Sequence, residues 1–167
     1  MPTAKAILVA CAIFVLAPSV HSQPASSQPP IPFKVVAKVG QALAILVAPN
    51  PTDAQLTALL NAFRAARANG TLAQLIPPTT PNARVGGPYN VVNVFVISDP
   101  AAGNNPMLDM FVNPKTNEIS DNEKQWGKRI LAYYFYSSLA PKDRQEQGTL
   151  GYMSEGYLFT NRFKQLF

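Results

Sequence analysis

In the run from Tyr89 to Ser98, Val92, Val94 and Val96 alternate with Asn93, Phe95 and Ile97, so an extended chain here is largely apolar on both faces. Such a strand belongs in the middle of a sheet, and the rest of the fold has to supply its neighbours. Two runs upstream do so. Phe33 to Val39 and Ala42 to Ala48 are β-branched, alternating segments joined at Gly40-Gln41, the pattern of a β-hairpin.

Between that hairpin and the apolar run lies the clearest helix of the chain, from Asp53 to Asn69. Thr52 and Gln55 form a capping-box pair, Asp53 complements the helix N-terminus, and Leu56, Leu59, Leu60 and Phe63 share a face. Gly70 ends it. Asn69-Gly70-Thr71 is formally a glycosylation sequon, but its role here is that of a helix stop. Arg64 and Arg67 suit the negative end of the helix dipole and read as helix stabilisers. Leu75 to Pro88 contains four prolines and two glycines and excludes regular structure; an ordered crossover and a mobile loop are both open for it.

Downstream of the central run, Asp99 to Asn105 reads as a turn. Met107 to Val112 fits a short helix or a strand, and Asn113-Pro114-Lys115-Thr116-Asn117 favours the strand, because Asx, proline and a terminal asparagine suit a hairpin turn leading into Glu118-Ile119. Asp121 to Gln125 is polar, and Lys128 to Ser137 is the most aromatic strand. The tail alternates Gly148, Gly151 and Gly156 with Tyr152, Tyr157, Phe159, Phe163 and Phe167, so it is expected to pack on the domain. These elements compose one α+β domain over residues 33–167. It has an antiparallel sheet of four to six strands with one main helix across one face, in the order β-β-α-β-(β-hairpin)-β.

The segment Phe111 to Ile119 resembles, over nine residues, the hairpin of periplasmic PepSY-type domains, which are linked to restraint of peptidases. It departs from them at Asn117, where those hairpins favour glycine, and nothing upstream matches. Turns of this kind recur for backbone reasons, and the likeness assigns no family.

Met1 to Ser22 has the three parts of a secretory signal: Lys5, the apolar stretch Ala6 to Ala17, and a Pro18 break before Ser19-Val20-His21-Ser22. The apolar stretch is shorter than the roughly 20 residues needed to span a bilayer, so cleavage before Gln23 is expected and a membrane span is not. Leu8-Val9-Ala10-Cys11 resembles a lipobox with Cys11 as acceptor. The short apolar run before Cys11 and the apolar Ala12 to Ala17 after it weigh against lipidation. Gln23 to Pro32 is uncharged and rich in Pro, Ser and Gln, a disordered or polyproline-like leader. The product is expected to be secreted or periplasmic.

Export would remove the only histidine, His21, and the only cysteine, Cys11. Most familiar bases, nucleophiles and soft-metal ligands go with them. No Gly-x-Ser-x-Gly elbow and no phosphate loop occur, and no Asp or Asn spacing matches a calcium loop, so neither metal nor cofactor is expected. Without Lys5 the net charge falls from +5 to +4, and the basic residues are scattered apart from Lys128-Arg129, which argues against a nucleic-acid partner.

Carboxylates and aromatics remain. Among the acids, Asp99 and Asp109 flank a turn, Asp121 with Glu123 reads as solvated, and Glu155, between glycine and aromatic residues, is the candidate for a carboxylate-dependent hydrolase acting on polysaccharide. Strand alternation places Tyr134 and Tyr136 on one face and Tyr133 and Phe135 on the other. Tyr134 and Tyr136, with Trp126, Lys128 and Arg129, form the candidate binding patch for a sugar or a protein surface, against the alternative that these aromatics fill the core. The leading expectation is an exported, non-catalytic binding domain whose partner is a protein or polysaccharide of the envelope or medium.

Overall fold

The computed structural model describes residues 31–114, 118–154 and 156–167. The expected signal peptide, the leader as far as residue 30, the centre of the expected turn after Asn113, and Glu155 lie outside the described residues. The first hairpin forms as its alternation requires. β1 (Phe33–Val39) and β2 (Ala42–Val47) pair antiparallel, and Gly40 makes the reversal at φ 56°, a backbone region that costs glycine nothing. A bulge between Val35 and Ala37 lets the two ends of β1 serve opposite faces: Phe33 and Val35 pack on one, Ala37 and Val39 on the other.

α1 (Asp53–Ala68) begins at the expected capping box, with the Gln55 backbone N–H donating to Thr52 Oγ1 at 3.2 Å and the Thr52 N–H donating to Gln55 Oε1 at 2.9 Å. It buries Leu56, Leu59, Leu60, Phe63 and Ala66 on the first face of the sheet. The proline-rich segment after it is an ordered crossover. Tyr89 donates its hydroxyl to the Ile76 carbonyl at 3.0 Å, Thr80 N–H donates to the Gly40 carbonyl at 2.9 Å, and Gln41 Nε2 donates to the Thr80 carbonyl at 2.8 Å.

β3 (Val91–Ile97) then enters beside β2, and the two run parallel. The expectation of a purely antiparallel sheet is corrected here. α1 and the crossover carry the chain back along the sheet, so the next strand starts at the same end as β2. β4 (Ile130–Ser137) and β5 (Glu146–Leu150) add antiparallel strands, and β8 (Lys164–Gln165) pairs with β5 in the order β1-β2-β3-β4-β5-β8. β6 (Met153–Ser154) and β7 (Tyr157–Leu158) form a separate small ribbon. The fold is α+β with a mixed six-stranded sheet, and β3 lies inside it.

The second correction concerns residues 105 to 127. Met107 to Val112 is helical, in α2 (Asn105–Val112), and Asp121 opens α3 (Asp121–Gly127). Asn104 caps α2 by accepting from Met107 N–H at 3.0 Å, and Pro106 occupies its first turn. Asn113, expected to start a hairpin turn, instead caps the C-terminus through its N–H on the Asp109 carbonyl, and Pro114 blocks continuation. Ser120 and Glu123 form a second capping box. Phe111 and Val112 are thus helical, which removes the start of the PepSY-like hairpin.

Two cores result. The first, under α1, contains Leu43, Ile45, Phe63, Val94, Val96 and Tyr134. The second, under α2 and α3, contains Ala44, Phe95, Ile97, Leu108, Trp126 and Ile130. The tail packs as expected, with Tyr152 and Phe159 joining Phe111 in the second aromatic cluster. Gly151 permits this at φ 73°, where a side chain would run into the Arg162 carbonyl. Among the described residues no helix is long and apolar enough to cross a membrane.

Candidate functional site

The residues expected to form one binding patch are divided between the two faces. Tyr134 is fully buried beneath α1, its hydroxyl donating to Glu146 Oε1 at 2.8 Å. Tyr136 is partly buried on the same face, with the Arg67 guanidinium 5.0 Å above its ring. Trp126 is fully buried on the opposite face and donates Nε1–H to the Ala102 carbonyl at 3.0 Å. Lys128 is exposed, and Arg129 pairs with Asp99 at 2.9 Å. The patch therefore does not assemble. Alternation identified which tyrosines share a face, and α1 covers the face that was read as outward.

Two of the acids read from the sequence are held within their own turns. Asp99 Oδ1 accepts from Ala101 N–H, and Asp109 Oδ1 accepts from Asn113 Nδ2. Asp121 pairs with Lys124, and Glu123 is buried in its capping box. Among the described residues no group of three His, Cys, Asp or Glu is placed to hold a metal ion.

The residue that sequence reasoning missed among the acids is Glu146. Its Oε1 accepts from Tyr134 and from Arg67 Nε, and its Oε2 accepts from Arg67 Nη2 at 2.6 Å with Arg64 Nε 3.5 Å away. The bonds that Arg67 donates to Glu146 hold its guanidinium above the ordinary pKa. Burial, and then the bond to Glu146, pushes the Tyr134 hydroxyl up. Arg64 and Arg67, read as helix stabilisers, thus also clamp α1 to β5. Both oxygens of this acid are occupied, so the cluster is a brace and has no free carboxylate to offer a substrate.

The open ground lies on the second face. α2, α3 and the tail cover one part of it, while Val91, Asn93 and Phe135, toward the β1–β2 turn, stay partly exposed. Where cover ends there is a cleft of ≈ 340 Å³. Its floor is Asn93 and Phe95 with the turn at Gly40 and Gln41, and its walls are Phe111 to Pro114 at the end of α2, with Tyr152 and Ser154. The size falls at the small end of the range for ligand pockets, about 300–1,000 Å³. A second hollow of ≈ 480 Å³ lies beyond Gln41, lined by Arg84, Val91 and the exposed Leu139.

The amides of the floor are held in fixed orientations. Tyr133 donates its hydroxyl to Asn93 Oδ1 at 2.6 Å, a diagonal cross-strand contact between β4 and β3. Burial, with Tyr152 adding to it, pushes the Tyr133 hydroxyl well above its ordinary pKa, so it stays a donor through the neutral range. Asn93 Nδ2 has no partner among the described residues, and no buried side-chain polar atom there lacks one, so Nδ2 is accessible and left to donate. Gln41 is the complement. Its Nε2 is spent on Thr80, which leaves Oε1 to accept. Among the described lining residues none is charged. The signal that could have found Asn93 is its place as the one polar residue within the seven of β3.

The chain matches no protein-family model, no curated protein and no solved structure. Its functional reading rests on the geometry of this cleft.

Proposed function

We propose that this chain is an exported, non-catalytic binding domain and that its partner, a polysaccharide or protein of the envelope or medium, docks in the cleft above Asn93. The observation that carries the reading is the amide pair, Asn93 as donor and Gln41 as acceptor, at the floor of a cleft walled in part by aromatic rings. Polar groups held by their neighbours before a ligand arrives give orientation and specificity at low ordering cost. Among the described residues, Glu146, Glu123, Asp99 and Asp109 are engaged in braces and caps, which supports binding through the amides over chemistry at these four acids.

The test is capture from the native envelope or medium with the full chain and with the Gln41→Ala/Asn93→Ala double variant. A partner retained by the wild type and lost from the variant is the expected result; equal retention by both would remove the cleft from the interaction. Mass spectrometry of the same material is expected to find an N-terminus at Gln23. A diacylated Cys11 would replace the exported soluble form with a tethered one.

A further inference from the structure

Resting on the binding reading above, we propose that the cleft takes one ring of a neutral oligosaccharide. The described lining residues Gln41, Asn93, Asn113 and Ser154 offer neutral hydrogen-bonding groups, which suit a neutral polar ligand. Asn93 and Gln41 line one floor, with Asn93 Nδ2 left to donate and Gln41 Oε1 left to accept, and the bond from Asn93 N–H to the Gln41 carbonyl at 2.9 Å holds the two residues together. A sugar hydroxyl is both donor and acceptor, so adjacent hydroxyls of one ring can answer both groups. The rings of Phe111 and Tyr152, whose centroids are 5.5 Å apart, stand at the side as an apolar surface for the C–H face of such a ring.

A peptide strand has a poorer fit. Peptides commonly add to a free sheet edge through main-chain hydrogen bonds, whereas the floor residues Asn93 and Phe95 lie on β3, inside the sheet. The cleft opens on the face, where side chains and not main-chain groups do the recognising.

The chain carries its own reporter. Trp126 is the only tryptophan, and its ring centroid lies 4.4 Å from that of Phe111, so a ring seated against Phe111 should change its fluorescence. The experiment titrates the full chain with neutral oligosaccharides of glucose, mannose and N-acetylglucosamine, in α and β linkages. Trp126 emission and calorimetry are the readouts. At least one sugar is expected to bind saturably, with Asn93→Ala weakening it about tenfold, the equivalent of one lost hydrogen bond. Gln41→Ala, at a turn, gives a second route should Asn93→Ala fail to fold.

Sugar binding unchanged in both variants would overturn the assignment to this cleft. Binding of no sugar, with a protein still captured in an Asn93-dependent way, would overturn the sugar and keep the docking site. No sugar and no Asn93-dependent capture would overturn both.

Discussion

The two faces of the sheet are built from the same strands and solve different problems. On the first, one long helix covers the surface and its edge is braced by Arg64, Arg67, Tyr134 and Glu146, so the core apolar groups and this carboxylate are satisfied by the protein itself. On the second, two short helices and an aromatic tail cover part of the surface and stop, leaving Asn93 Nδ2 and Gln41 Oε1 without a partner among the described residues at the margin. A face braced in this way supports the fold. A face that leaves a pre-set donor and acceptor in an opening has something to give a ligand.

The sharpest way to break this comparison is to truncate one ring on each face. Phe63→Ala, fully buried beneath α1, is expected to cost about 3–5 kcal/mol in urea unfolding. Phe111→Ala, partly exposed at the cleft wall, should cost clearly less. Equal losses would mean that the second face is as closed energetically as the first.

Next in size is the brace. Glu146→Gln removes the charge that Arg64 and Arg67 share, and a loss of about 1–3 kcal/mol is expected by the same assay. No change would reduce the brace to a surface contact. A comparable loss of about 1–3 kcal/mol is expected for Gly151→Ala, which overpacks the tail against the Arg162 carbonyl and should loosen Tyr152 at the cleft. Hydrogen exchange would locate that effect on the second face if the comparison holds.

Alkaline pH tests both faces at once, through Tyr134 on the first and Tyr133 on the second. Both hydroxyls are raised above the ordinary 10.0, so the folded state favours the protonated form. Their contribution is intact below the unfolded pKa and is lost as pH rises beyond it. Stability should therefore be level up to about pH 10 with respect to these groups and fall above it, where unfolded tyrosine ionises. Tyr133→Phe and Tyr134→Phe should each flatten that fall, and a fall of unchanged steepness in both would sink the attribution. The smallest expected effect is Thr52→Ala, at about 1 kcal/mol, because it removes a cap without touching either core.

Much of this architecture was legible where the signal is local. The β1–β2 hairpin, the capping box and apolar face of α1, the interior place of β3 and the packing of the tail all follow from alternation, turn chemistry and helix periodicity. The error at Asn113-Pro114 has a physical origin, since Asx followed by proline serves equally to open a turn and to stop a helix. Asn104, Pro106 and the Ser120–Glu123 box were the helix signals to weigh against it. The site was less legible. Glu155 lies outside the described residues, and the patch of Trp126, Tyr134 and Tyr136 was divided because the direction of a strand's faces is not a property of the strand.

By itself, the amino-acid sequence determined that the β1, β2, β3 and β4 segments are extended, that α1 is helical and which residues share a side of each strand, because these depend on neighbours a few positions away. The tertiary structure decided which side α1 would cover, that β2 and β3 run parallel, and that Asn93 meets Tyr133 across forty residues of chain. Those outcomes depend on how the crossover returns and where the short helices end. The polar residue inside the most apolar strand was visible from the outset, and only the packing of its neighbours left it facing an opening.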